Sequence, residues 1–188
     1  MLIPINQVKK KKIYLRIANG SIISKKDGVE TSFGAISGSL KSIELKEHEY
    51  DNKKFKNWHI ILADPASSEV YDLSVSRSSG AFKSIVRSLV TEQGLASLDD
   101  INIEVYTSKS GYTNASVTAA GQRLHWVDEQ MPAITYVKVG ENEVADDTAQ
   151  MNWIQTLVDR INTMLNAAEE MPQEEDDLPL DDDLPQGC

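Results

Sequence analysis

Ser78-Ser79-Gly80-Ala81-Phe82-Lys83-Ser84-Ile85-Val86-Arg87-Ser88-Leu89-Val90-Thr91-Glu92-Gln93-Gly94 is the stretch on which the fold turns. Phe82, Ile85, Val86, Leu89 and Val90 recur at i, i+3, i+4, i+7 and i+8, the apolar stripe of an amphipathic helix. Ser78 or Ser79 can cap its first turn, and Gly94 stands just past its expected end. Strands flank it. Before it, Tyr71, Leu73 and Val75 alternate with Asp72, Ser74 and Ser76; after it, Ile101, Ile103 and Val105 alternate with polar residues. A single helix is thus set between strands.

Upstream, Trp58 to Ala63 reads as a strand that Asp64-Pro65 ends. A long strand is expected from Phe33 to about Glu49, with Ile36, Leu40, Ile43 and Leu45 on its apolar side. Gly34 and Gly38 point to bulges or sharp coiling, and the change of phase between Leu40 and Ile43 is what a bulge produces. Residues 51–57 read as a polar hairpin loop or strand edge, and Lys25-Lys26-Asp27-Gly28 as a turn. A first strand is expected at about 13–23, and residues 1–12 are expected to form a flexible basic arm. Downstream, Lys109-Ser110-Gly111-Tyr112 makes a turn, Ala115 to Val127 an interrupted strand, and Ile134 to Val139 a short one. Met151, Ile154, Val158, Ile161 and Leu165 define a second helix, 147–168. It either packs on the β domain or offers a near-heptad self-association seam. This order predicts a mainly β protein: an OB-fold-like five-stranded Greek-key barrel over residues 13–140, with one helix between strands 3 and 4, plus the C-terminal helix. An α+β sandwich is the competing layout.

The chain has 188 residues and a formal charge of −10. That charge is unevenly placed. Residues 1–138 hold 18 Lys+Arg against 15 Asp+Glu, whereas residues 139–188 hold 1 against 14. The body is mildly basic and the end strongly acidic, so the acidic total does not exclude a polyanion as partner. Residues 169–188 carry nine carboxylates and no cation, a composition expected to stay disordered. The single cysteine, Cys188, excludes a disulfide scaffold and suits a reducing compartment. No apolar run reaches the length of a transmembrane helix, and the start does not read as a secretory signal, so a cytoplasmic location is expected.

Signs of catalysis are few. Gly34-Ala35-Ile36-Ser37-Gly38-Ser39 lacks the lysine that a phosphate-cradling loop needs. His48, His59 and His125 do not fall at metal-ligand spacing, and no nucleophile elbow occurs. No cofactor, metal site or catalytic residue is expected. Single-strand binding needs other parts: cations for phosphates and aromatic faces for bases. Residues 1–60 offer both, with 12 basic against 6 acidic side chains. Tyr14 and Arg16 share the outward side of the first strand, and Tyr50, Lys53, Lys54, Phe55, Lys56 and Trp58 interleave aromatics with cations. The candidate platforms are Tyr14, Tyr50, Phe55 and Tyr112; the candidate phosphate ligands are Arg16, Lys41, Lys53, Lys54, Lys56, Arg77 and Lys109. Each has an ordinary alternative. A strand Trp or Tyr is more often core, which is the reading for Trp58 and Tyr71, and a lysine run can simply protect a strand edge.

A basic, aromatic β domain ended by Asp181-Asp182-Asp183-Leu184-Pro185 resembles the single-stranded DNA-binding proteins of bacteria and bacteriophages, and the layout is closer to a phage type. The resemblance implies an OB fold that protects single-stranded DNA in replication, recombination or repair in the bacterial host cell. It also implies a tail that recruits partner proteins through Asp176-Asp177-Leu178-Pro179 and Asp181-Asp182-Asp183-Leu184-Pro185. The chain departs from the family where its tail would end in phenylalanine: Gln186-Gly187-Cys188 stands there. Homo-oligomerisation stays open. The competing function is a protein-protein adaptor with a β domain, a dimerising helix and an acidic interaction tail.

Overall fold

The computed structural model describes residues 11–170. The acidic docking words, and residues 1–10 of the expected basic arm, lie outside the described residues; Lys11 and Lys12, expected in that arm, begin the first strand. In chain order the elements are β1 Lys11–Ala18, β2 Ser21–Lys26, β3 Val29–Phe33, β4 Ala35–Tyr50, β5 Lys53–Ala63 and β6 Glu69–Ser76. They continue with α1 Gly80–Leu89, α2 Glu92–Leu95, β7 Ile101–Thr107, β8 Thr113–Ala119, β9 Gln122–Arg123, β10 Thr135–Val139, β11 Asn142–Asp146 and α3 Thr148–Glu170. Nine strands form one mixed sheet in the order β3-β2-β1-β6-β5-β4-β7-β8-β9, and β10-β11 stand apart as a hairpin. Every ladder is antiparallel except β1 against β6.

The protein is therefore mainly β, with two helices, α1 and the one-turn α2, between β6 and β7 where one was expected, and a C-terminal helix. A closed five-stranded barrel is not seen. β6 takes β1 as its second neighbour, and β2 approaches β4 and β7 without a ladder to either. A hollow of about 750 Å³ lined by Ile13, Leu15, Ile22, Phe33 and Ile36 lies between β1, β2 and the start of β4.

The expected strand at 13–23 is two strands. Asn19 and Gly20 have φ of 52° and 72°, so the chain reverses in a tight turn of the kind that Asn-Gly favours. Asp27-Gly28 and Asp51-Asn52 do the same, at φ of 51° and 83° and of 51° and 56°. The hairpin loop expected over 51–57 shrinks to that last pair, and Lys53–Asn57 belong to β5. Gly34 separates β3 from β4 rather than bulging a strand. The interruption expected in the strand at 115–127 falls at Ala120 and Gly121, which take positive φ, and the chain turns back there as β9. The bulge expected between Leu40 and Ile43 is present, as a register shift against β5 between Leu40 and Ser42.

Ser79 caps α1, its side chain accepting from the Phe82 N–H at 3.1 Å. Gly94 does not end α1. It lies in α2, capped by Thr91, where a Cβ would stand 2.5 Å from the Leu89 carbonyl oxygen. The core is centred on Phe82, stacked on Trp58 at 4.7 Å between ring centroids. Met151, Ile154, Leu157, Val158 and Ile161 of α3 are buried against it, each contributing about 1.5–3 kcal/mol. The stripe that could have served as a self-association seam is spent inside the chain. Once β4 leaves β7 at Gly38, α3 also satisfies its bare edge. Asn162 accepts from the Ile43 N–H at 3.1 Å and donates to the Ile43 carbonyl at 2.9 Å. Among the described residues no helix is long and apolar enough to cross a membrane.

Candidate nucleic-acid interface

Paired residues of neighbouring strands share a face of the sheet. Leu15, Leu73, Ile60 and Ile43 form a row directed into the core. The rows on either side point outward: Arg16, Ser74, His59 and Glu44 in one, Tyr14, Asp72, Ile61 and Ser42 in the other. Further along the β4–β5 hairpin the same outer face carries Asn57 with Lys46, Phe55 with His48, and Lys53 with Tyr50. Tyr14, Arg16, Tyr50, Lys53 and Phe55 thus lie on one face. Tyr14 is 67 % exposed, Tyr50 77 % and Phe55 43 %, so the three rings are open to a stacking partner. Trp58 is buried and Tyr71 half-buried, and both belong to the core.

The end of the sheet gathers the rest. β6 stops at Ser76, opposite Asn57, so the hairpin projects beyond it. On the hairpin's other side Lys54, Lys56 and Arg77 line a groove of about 410 Å³ with Glu47 and Asp147. β1 runs parallel to β6, which puts the Asn19-Gly20 turn at this end too. There the Gly20 N–H donates to Thr113 Oγ1 at 3.2 Å, and a Cβ on Gly20 would stand 2.0 Å from Thr107 Oγ1. This close approach anchors the 108–112 turn, which carries Lys109 and a 72 % exposed Tyr112. Lys41 is not brought in. It sits at the bulge, about 30 Å along β4 from Tyr50.

Several candidate cations are paired. Arg16 meets Glu30 at 2.8 Å, and Glu47 takes Lys54 at 3.1 Å and Lys56 at 4.0 Å. Such exposed pairs are worth about 0–1 kcal/mol, so a phosphate can replace the carboxylate at little cost. Lys41, Lys53, Arg77 and Lys109 make no ion pair among the described residues.

Four residues that sequence reasoning passed over cross the same face. Lys12 Nζ lies 2.7 Å from Asp72 Oδ2, and Asp72 Oδ1 lies 2.6 Å from His59 Nδ1. His59 Nε2 lies 2.9 Å from His48 Nε2, and the His48 ring stacks on Phe55 at 5.5 Å. Burial pushes the Asp72 carboxyl up, but its bonds to Lys12 and His59 outweigh this and hold it below the usual carboxylate range. The bond to Asp72 in turn raises Lys12. The signal in the sequence was parity alone: Asp72 and His59 fall at outward positions of strands whose neighbouring residues are core.

Comparison with family models, with curated proteins and with solved structures finds no match to this chain.

Proposed function

We propose that the protein binds single-stranded DNA without strong sequence preference and protects it in replication or recombination, with the acidic tail recruiting partner proteins. The observation that carries this reading is the outer face of β1, β6, β5 and β4. It sets exposed Tyr14, Tyr50 and Phe55 among cations, with Lys109 and Tyr112 at the same end. Bases stacked on such rings contribute about 1–3 kcal/mol each, independently of sequence, and lysines and arginines beside them add a salt-sensitive phosphate term. The module is read as an OB-fold variant. In support, β4-β5-β6-α1-β7-β8 follow the order of that barrel, with a long, bulged first strand shared between β5 and β7. β1 would stand where the closing strand usually pairs.

One observation favours the adaptor. The β10-β11 hairpin exposes Tyr136, Val137, Val139 and Val144, an apolar surface suited to a protein partner. Titration of a fluorescent dT oligonucleotide at low and moderate salt separates the two. Binding that weakens steeply with salt supports the nucleic-acid reading, and no binding at low salt supports the adaptor.

A further inference from the structure

The polar chain across the outer face is costly to bury. Asp72 is 2 % exposed and His59 7 %, on a face that otherwise meets water. Its hydrogen bonds limit where the protons can sit. Asp72 is a carboxylate, so His59 Nδ1 carries hydrogen and donates to it across 2.6 Å. With both rings uncharged, His59 presents a lone pair at Nε2 and His48 Nε2–H donates across the 2.9 Å contact. His48 Nδ1 is left as a lone pair with no protein partner among the described residues. A proton added there makes an imidazolium and breaks none of these bonds. A proton added at His59 Nε2 makes that nitrogen the donor to His48 Nε2 and puts the His48 hydrogen on Nδ1, so either way of charging the pair leaves an N–H at His48 Nδ1.

The surroundings favour an anion at that nitrogen. From β4 the charged and titratable groups facing the pair are Glu44, Lys46 and Tyr50, and from β5 Lys53. From β6 and β1 they are Asp72, Lys12, Tyr14 and Arg16. Both carboxylates are already engaged, Glu44 with Lys46 at 2.9 Å and Asp72 with Lys12 and His59. Neither is free to neutralise a cationic His48. Phe55 fixes the other side of the ring at an interplanar angle of 20°.

We propose that His48 is a phosphate ligand of this face, held by His59 and Asp72 as positioning residues, and that it takes up one proton as the strand binds. The proposal rests on the single-strand-binding reading. The proton comes from solvent and adds to Nδ1; no covalent bond of the protein or the strand changes. Linkage then requires that affinity rise with acidity, by at most about tenfold per pH unit for one proton.

The test is anisotropy of a labelled dT oligonucleotide at fixed salt, at about pH 8 and about pH 6, for the wild type, His48→Gln, His59→Gln and His125→Gln. The wild type and His125→Gln should bind several-fold more tightly at the lower pH. His48→Gln should lose that dependence, and His59→Gln should shift or flatten it. Calorimetry of the wild type in two buffers of different ionisation enthalpy should give close to one proton taken up per chain bound, which needs no variant to fold. Binding of equal strength at both pH values, a His48→Gln protein that keeps the wild-type dependence, or no proton uptake overturns the proposal and leaves the single-strand reading standing. A wild-type slope kept by His59→Gln removes the positioning role. Absence of binding at both pH values removes the single-strand reading and this proposal together.

Discussion

Asp72 is the residue at which the outer face can be tested as structure, apart from any ligand. Replacing it with alanine removes the acceptor of two bonds, to Lys12 Nζ at 2.7 Å and to His59 Nδ1 at 2.6 Å. Breaking a fully buried pair costs about 3–5 kcal/mol. Here the Lys12 side chain is 38 % exposed, so water takes over much of its solvation. His59 is buried, and its unpaired N–H costs about 1–3 kcal/mol. The expected loss for Asp72→Ala is therefore about 2–4 kcal/mol, read as a lower urea midpoint at unchanged slope. Asp72→Asn keeps an oxygen for the His59 N–H and should lose roughly half as much. The pH dependence follows from the depressed carboxyl. Its stabilisation is complete above the unfolded value of about 3.9 and is lost as pH falls through the lower folded value. The gap between wild type and Asp72→Asn should thus be full at neutral pH and close below about pH 4. A loss under about 1 kcal/mol for Asp72→Ala, or a gap that persists in acid, refutes the reasoning.

Asn162→Ala strips both backbone partners from Ile43 beside the bulge and should cost about 2 kcal/mol in the same unfolding assay. The exposed neighbour change Thr163→Ala should stay within about 0.5 kcal/mol. Gly20→Ala meets both a φ of 72° and a Thr107 oxygen 2.0 Å from the new Cβ. It should destabilise by about 1–3 kcal/mol and, by displacing the turn that carries Lys109 and Tyr112, weaken oligonucleotide binding beyond the stability loss. Phe55→Ala should reduce dT affinity about 5- to 150-fold, the equivalent of one stacked base, while an unchanged affinity would remove Phe55 from the interface.

The parts of the fold that were legible in the sequence are those whose pattern is local. The 82–90 stripe, the alternation of 70–76 and 101–105, and the phase change between Leu40 and Ile43 each report a face, and each face is where it was read to be. What failed were reversals and closure. Asn19-Gly20 is a strong hairpin signal, but Ile22 and Ile23 just beyond it prolong the β-branched run of Ile13 and Ile17, and this hid the reversal. Which strand pairs with the free edge of β6 is a non-local choice that no short pattern encodes, and the observed partner is β1. The candidate site was legible as parity: Tyr14 and Arg16 share a face because they are two apart. That the β4–β5 hairpin should continue this face required the β1–β6 ladder. The relay from Lys12 to His48 spans four strands, so spacing within any one of them could not reveal it.

The central claim is that the outer face binds a single strand by stacking and phosphate contact. The direct measurement is the affinity of the wild type and of the Tyr14→Ala, Tyr50→Ala and Phe55→Ala triple variant for a dT oligonucleotide across a salt series. Binding by the wild type that falls steeply as salt rises, and a triple variant weakened by more than about 100-fold while still folded, are the predicted results. A wild type that binds no oligonucleotide at low salt, or a triple variant that binds as tightly as the wild type, contradicts the account.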